Sequence, residues 1–279
     1  MSMKQVRPKK NLGQHFLTDL AIARRIADTV DACPAIPILE VGPGMGVLTQ
    51  FLARKGRQLS VVEIDAESVA FLSERYGWEV TTQPVAPTTP PSPQIIAADF
   101  LRMDLGQLFG GRPFVLTGNY PYDISSQIFF KMLDSRDLIP CCTGMIQREV
   151  ALRMAAAPGS KQYGILSVLM QAWYDVDYLF TVEPSVFCPP PKVQSAVIRL
   201  TRNETIDLGC DEQLFRRVVK ATFGQRRKML RVSLRQLFGQ QHTPPPSFFQ
   251  HDIMTCRPEQ LTIAQFVNLT NRVAGYKSK

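Results

Sequence analysis

The chain has 279 residues, 45% of them hydrophobic, enough for one large folded domain and a smaller one. Its net charge of +8 favours an anionic partner and says nothing of fold. Three histidines and six cysteines with no C-x-x-C pair argue against a structural zinc site, and no apolar run approaches the roughly 20 residues of a membrane helix. The N-terminus is basic but lacks the apolar segment of a secretion signal, so a cytoplasmic protein with reduced thiols and no membrane contact is expected.

The charge is localised. Residues 1–10 contribute +4 and residues 211–238 contribute +6, which leaves the remainder near −2. Residues 1–10 read as a solvated basic arm. Gly13-Gln14-His15-Phe16-Leu17 follows without helical period and could fold over a ligand, although His15 read alone is more often a surface histidine than a ligand. A helix is expected next, capped by Asp19, with Ile22, Ile26 and Val30 at a spacing of four.

Ile38-Leu39-Glu40-Val41 reads as a buried strand, and Gly42-Pro43-Gly44-Met45-Gly46 as a sharp turn into a helix over Val47 to Lys55. The next strand, Ser60 to Asp65, ends in acids. Glu63 there lies about 20 residues past the glycines, where a carboxylate can grip both hydroxyls of a cofactor ribose. The loop is G-x-G-x-G, not the dinucleotide G-x-G-x-x-G. Residues 81–94 are rich in Pro and Thr and read as an exposed loop. A third strand, Ile95 to Phe100, carries Asp99, a candidate acceptor for an adenine amino group.

Phe114-Val115-Leu116 leads into Thr117-Gly118-Asn119-Tyr120-Pro121-Tyr122. The Asn119 side-chain oxygen and the carbonyl of Tyr120 or Pro121 can each accept one N–H from an exocyclic amine while Tyr122 stacks on its ring. Read alone, the same residues also make an ordinary turn. Strands alternating with helices, each ending in a functional residue on one edge, predict an open α/β sheet with its ligands beyond the strand ends. Further on, a strand passes into a helix over residues 143–154, and residues 165–174 are apolar. Three prolines place Phe187 before and Lys192 after an extended rim, ahead of a strand from Ser195 to Leu200. Phe187 serves equally as a second stacking face or as a core residue. An amphipathic basic helical pair then carries Arg226, Arg227 and Lys228 and suits phosphate binding. Thr262 and Gln265 have the spacing of a capping box at the start of the last helix.

Taken in order, Asn11-Leu-Gly-Gln-His-Phe-Leu, Glu40-Val-Gly-Pro-Gly-Met-Gly, Val62-Glu-Ile-Asp, Ala98-Asp99, Gly118-Asn-Tyr-Pro-Tyr, Gln147-Arg-Glu-Val, Phe187-x-Pro-Pro-Pro-Lys-Val and Phe223-Gly-Gln-Arg-Arg-Lys-Met resemble the ribosomal RNA adenine dimethyltransferases of the KsgA/RsmA family. The resemblance spans nearly the whole chain. It implies a Rossmann-like class I methyltransferase sheet with a small C-terminal all-helical domain, divided as 1–204, the methyltransferase domain with its basic arm, and 205–279, a basic RNA- or ribosome-binding domain. It further implies N6,N6-dimethylation of two adjacent adenosines in a hairpin loop near the 3′ end of small-subunit (16S) ribosomal RNA. S-adenosylmethionine is the implied cofactor, an assembling small ribosomal subunit the implied partner, and a monomer the expected state. Positions matching His15, Leu17, Gly42, Glu63, Asp99 and Asn119 contact the cofactor in such enzymes, and Gly44 belongs to the same turn. Residues 119–122 are the implied catalytic set, with Tyr122, Phe187, Lys192, Arg226, Arg227 and Lys228 toward the RNA. The family commonly has Asn at the position of His15 and Leu at that of Tyr120. Methylation of DNA adenine or protein glutamine, and a non-enzymatic assembly factor, remain open as rivals.

Overall fold

The structure, a computed structural model, describes residues 15–83, 92–238 and 244–277. The basic arm and most of the Pro/Thr stretch lie outside the described residues. The chain divides into two compact units, one of residues 1–151 with 177–202 and one of residues 152–176 with 203–279.

β1 (Phe16–Leu17) leads into α1 (Leu20–Asp28), where Asp19 Oδ1 accepts the Ala21 and Ile22 N–H groups at 2.8 and 3.0 Å as the expected cap. β2 (Ile38–Val41) is buried throughout. The helix expected over Val47 to Lys55 shrinks to α2 (Thr49–Leu52) and a 3₁₀ turn. Gly42, Gly44 and Gly46 all take positive φ, which carries the chain through a wider turn before the helix begins. β3 (Leu59–Glu63), α3 (Ala66–Tyr76), β4 (Glu79–Thr81), β5 (Gln94–Ala97) and β6 (Val115–Thr117) follow. After them come α4 (Ser125–Asp134), β7 (Cys141–Gln147), α5 (Arg148–Met154), α6 (Ile165–Gln171), β8 (Tyr174–Val182), β9 (Phe187–Cys188) and β10 (Ser195–Arg202).

The strands form one eight-stranded sheet in the order β4-β5-β3-β2-β6-β7-β10-β8, and β1 pairs antiparallel with β9 in a separate ribbon. From β4 to β7 all pairings are parallel, and β10 runs antiparallel to β7. The chain builds outward from β2 through β3, then returns to place β6 on the other side of β2. The carboxyl ends of β2 and β6 therefore flank a switch point, where open α/β sheets hold their ligands. One face of the sheet packs on α1 through Ile26, Val30, Ile38, Val61, Ile95 and Val115, all fully buried.

Cys33 and Cys141 are joined in a disulfide with Cα atoms 5.8 Å apart, so the expectation of reduced thiols fails for this pair. The turn after α1 packs at the start of β7 and brings together two sulfurs that are 108 residues apart, a separation no sequence spacing reveals.

The second unit contains α6, α7 (Glu212–Gly224), α8 (Leu230–Ser233) and α9 (Ile263–Lys277). α7 buries Leu214, Phe215, Val218 and Val219, and Asp211 caps it by accepting the Leu214 N–H at 2.6 Å. The second member of the basic helical pair is one α-turn continued as a 3₁₀ turn over Leu234–Leu237. Thr262 and Gln265 cap α9 reciprocally: the Gln265 N–H donates to Thr262 Oγ1 at 3.2 Å and the Thr262 N–H to Gln265 Oε1 at 2.9 Å. Residues 152–176, grouped from the sequence with the first domain, belong to this unit. Tyr163 is fully buried there, 6.2 Å from the Phe223 ring, which in turn lies 5.9 Å from Phe266.

Candidate active site

A cavity of about 270 Å³ opens at the switch point, between the glycine turn after β2 and residues 118–122 after β6. Its lining includes His15, Leu17, Gly42, Gly44, Glu63, Asp99 and Asn119, so the structure gathers every residue expected at the cofactor, together with Tyr120, Pro121 and Tyr122.

Residues 118–120 continue β6 along β7. The Met145 N–H donates to the Gly118 carbonyl at 2.9 Å and the Tyr120 N–H to the Met145 carbonyl at 3.0 Å, which fixes the backbone on both sides of Asn119. A Cβ on Gly118 would lie 2.5 Å from the Val41 carbonyl oxygen, so this position must be glycine for β2 and the catalytic turn to approach so closely. The Asn119 Nδ2 donates to the His15 carbonyl at 3.3 Å. That bond commits the nitrogen and leaves Oδ1 as the acceptor.

The Tyr120 side chain turns into the core instead of the cavity. Its hydroxyl donates to the Thr143 carbonyl at 3.0 Å and lies 3.2 Å from Cys142 Sγ, and burial pushes it well above the usual tyrosine range. Only its backbone remains available for chemistry. Tyr122 is half-buried, with its hydroxyl 2.5 Å from Ser195 Oγ. The His15 ring stacks beside it at 5.6 Å and is tied through Nδ1 to the Pro189 carbonyl at 2.8 Å.

Glu63 ends β3 almost fully buried. Oε1 accepts the Ile64 and Asp65 N–H groups, both at 2.9 Å, and Oε2 accepts the Gly44 N–H at 3.1 Å. Burial raises its pKa, and these backbone donors oppose the rise. The carboxylate is thereby held rigidly against the glycine turn. Asp99 caps the short turn after β5 by accepting the Leu101 N–H at 2.9 Å, and Lys131 Nζ on α4 steadies that turn through the Leu101 and Met103 carbonyls.

The remaining expected residues lie elsewhere. Phe187 pairs with Leu17 across β1 and β9, is 4% exposed, and packs in the core outside the cavity lining, so of its two readings the core one holds. Lys192 is exposed. Arg226 is engaged within its own unit, with Nε donating to Glu259 Oε2 at 2.8 Å and Nη2 to the Ser160 carbonyl at 3.2 Å. It is a packing link there, whereas Arg227 and Lys228 stand exposed. Sequence reasoning missed Ile64, half-exposed at the cavity, and Glu40, buried in its lining. The signal for both was adjacency, one following Glu63 and the other preceding the glycine turn.

An open, mostly parallel sheet with a glycine turn, a ribose-type acid and an Asn-Tyr-Pro-Tyr corner at one switch point defines a Rossmann-like protein of the class I methyltransferase type. The profile of the ribosomal RNA adenine dimethylase family matches residues 5–274. The ribosomal RNA small subunit methyltransferase A of Bacteroides thetaiotaomicron is 60% identical over 97% of this chain and 96% of its own length. Among solved structures, a dimethyladenosine transferase from Plasmodium falciparum shares the fold at a TM-score of 0.76 and 21% identity, covering 94% of this chain and 98% of that one. The 23S rRNA methyltransferase ErmE aligns at a TM-score of 0.63 and 25% identity over 93% and 99%. The chain belongs to the ribosomal RNA adenine dimethylase family.

Proposed function

We propose that the protein transfers methyl groups from S-adenosylmethionine to N6 of two adjacent adenosines in a hairpin loop near the 3′ end of 16S ribosomal RNA, giving N6,N6-dimethyladenosine during small-subunit assembly. Family membership supports the substrate class, and the observation that carries the chemistry is the anchored Asn119 carboxamide, with its nitrogen bound to the His15 carbonyl and its oxygen left to accept. The cavity suits the cofactor: Glu63 offers a rigid carboxylate to ribose hydroxyls, Ile64 an apolar face to a base, and Asp99 an acceptor to an exocyclic amine.

When bound, S-adenosylmethionine supplies an electrophilic methyl group on a positively charged sulfur. Adenine N6 is a weak nucleophile because its lone pair is delocalised into the ring. Asn119 Oδ1 and the Tyr120 or Pro121 carbonyl, accepting its two N–H bonds, turn that lone pair out of the ring plane and aim it. Tyr122 stacks on the flipped base and offsets the loss of its neighbours, a contribution of about 1–3 kcal/mol. Exposed Arg227 and Lys228 contact RNA phosphates.

The test is methyl transfer from labelled S-adenosylmethionine to small subunits lacking the modification, with nucleosides identified by mass. Dimethyladenosine is expected with the unaltered protein, and Asn119→Ala lowers the rate by at least about 100-fold. Subunit binding without transfer by the unaltered protein would overturn the proposal in favour of an assembly factor.

A further inference from the structure

Lys131 lies in the last turn of α4 and stands outside the cavity lining, yet its ammonium reaches the turn that follows β5. Nζ donates to the Leu101 carbonyl at 3.0 Å and to the Met103 carbonyl at 2.5 Å, and lies 5.7 Å from the centre of the Phe100 ring. Asp99 holds the other end of that turn. Its Oδ1 accepts the Leu101 N–H at 2.9 Å, and its main-chain carbonyl accepts the Arg102 and Met103 N–H groups at 3.0 and 3.2 Å. Leu101 is thus gripped by Asp99 through its N–H and by Lys131 through its carbonyl. Ala98, Asp99, Phe100 and Leu101 all line the cavity, so the two grips fix one of its walls. Holding a cation there is costly: burial lowers the Lys131 pKa, opposed by Asp104, Asp99 and Asp134. Asp99 Oδ2 is the oxygen left for a ligand, since its neighbour, Arg102 Nε at 3.5 Å, belongs to a side chain that is 89% exposed.

Resting on the cofactor reading above, we propose that Lys131 is a positioning residue that makes the cofactor site selective for an amino group over an oxo group at carbon 6 of the purine. The contact itself is Asp99 Oδ2 accepting an amine N–H; Lys131 decides where that oxygen stands. An oxo group brings no donor and meets the carboxylate with a lone pair, while the hypoxanthine ring carries its donor on the neighbouring ring atom, N1. A wall held on both sides of Leu101 cannot follow the donor to its new place. With the ammonium removed, the Leu101 and Met103 carbonyls lose their shared donor and the turn relaxes. Asp99, tied to Leu101, can then shift toward either donor, and the discrimination falls.

Titration calorimetry of the full chain compares S-adenosylhomocysteine with S-inosylhomocysteine, its analogue with an oxo group in place of the amine. The unaltered protein is expected to favour the adenosyl compound by about 10- to 100-fold. Lys131→Met keeps the length of the side chain and removes its donors. It is expected to bind the adenosyl compound about 10-fold more weakly and to reduce the preference to less than about 3-fold. Lys131→Arg returns donors to the two carbonyls and is expected to recover most of the preference. In methyl transfer, Lys131→Met should raise KM for S-adenosylmethionine about 10-fold and leave kcat at saturating cofactor within about 2-fold. Equal weakening of both compounds in Lys131→Met would reduce the residue to a structural one and overturn the proposal, as would a lower kcat with KM unchanged. No preference in the unaltered protein would overturn it while leaving the cofactor reading intact. Failure of S-adenosylhomocysteine to bind the unaltered protein would overturn the cofactor reading and this inference with it.

Discussion

Asn119 and Tyr122 divide the labour at the reacting centre, and their substitutions should differ in kind. Replacing Tyr122 by Ala removes a stacking face and should raise KM for the RNA about 5- to 100-fold. Tyr122→Phe loses only the bond to Ser195 Oγ and should change KM by less than about 5-fold in the same steady-state assay. Equal losses in the two variants would point to the hydroxyl, not the ring. Glu40 makes a separate prediction about the protein without cofactor. Burial, opposed by the Thr49 hydroxyl and reinforced by Glu63, pushes its carboxyl from the usual 4.5 up to about 8. The folded state therefore prefers the protonated acid more than the unfolded chain does. Its contribution is complete below pH 4.5 and is lost as pH rises through 8, about 5 kcal/mol in all. Urea unfolding at pH 5 and pH 9 should show that decline in the unaltered protein and a smaller one in Glu40→Gln. Parallel pH profiles in the two would refute this account of the buried acid.

The parallel strands β2, β3, β5 and β6 were legible because strands buried on both faces are nearly continuous apolar runs, and three of them lead directly to a candidate ligand-binding residue. Others were not. β4 is three largely exposed residues, and β8 alternates aspartates with half-buried residues at the sheet edge, so neither carries an apolar run to read. The β1–β9 ribbon joins segments about 170 residues apart, and only tertiary pairing reveals that Phe187 belongs beneath Leu17 instead of over a base. In the same way, Arg226 shares the sequence signal of its neighbours but is drawn into a pair with Glu259. The three cations should therefore separate by experiment. Arg227→Ala with Lys228→Ala should weaken RNA binding and reduce the slope of log affinity against log salt by about 2, with little change in stability. Arg226→Ala should instead lower the melting temperature and leave that slope nearly unchanged. A slope change of about 1 from Arg226→Ala would return it to the RNA-contacting set.

For the molecule as a whole, the disulfide is the feature the sequence concealed most completely. Closing a 108-residue loop restricts the unfolded chain by about 4–5 kcal/mol, so a reductant should lower the melting temperature by roughly 10 °C. Cys33→Ala with Cys141→Ala should melt identically with and without reductant. Equal melting of the unaltered protein in both conditions would remove the bond from any stabilising role. The division between the units was only partly legible. The basic helices marked the second unit, but nothing in the composition of residues 152–176 ties them to it, because that tie is a buried tyrosine meeting Phe223, 60 residues later, which in turn meets Phe266.

That interleaving imposes an order on the nascent chain. Neither unit is contiguous: the first lacks β10 until residue 202 has been made, and Tyr163 lacks its aromatic partner Phe223 until α7 has been made. At about 5–20 residues per second, translating the 77 residues after residue 202 delays completion of the second unit by some 4–15 s after the sheet is complete. For part of that interval α6, which buries Val168, Leu169 and Met170, is without α7, the helix it packs on. A transcript truncated before α7 would leave it exposed for good.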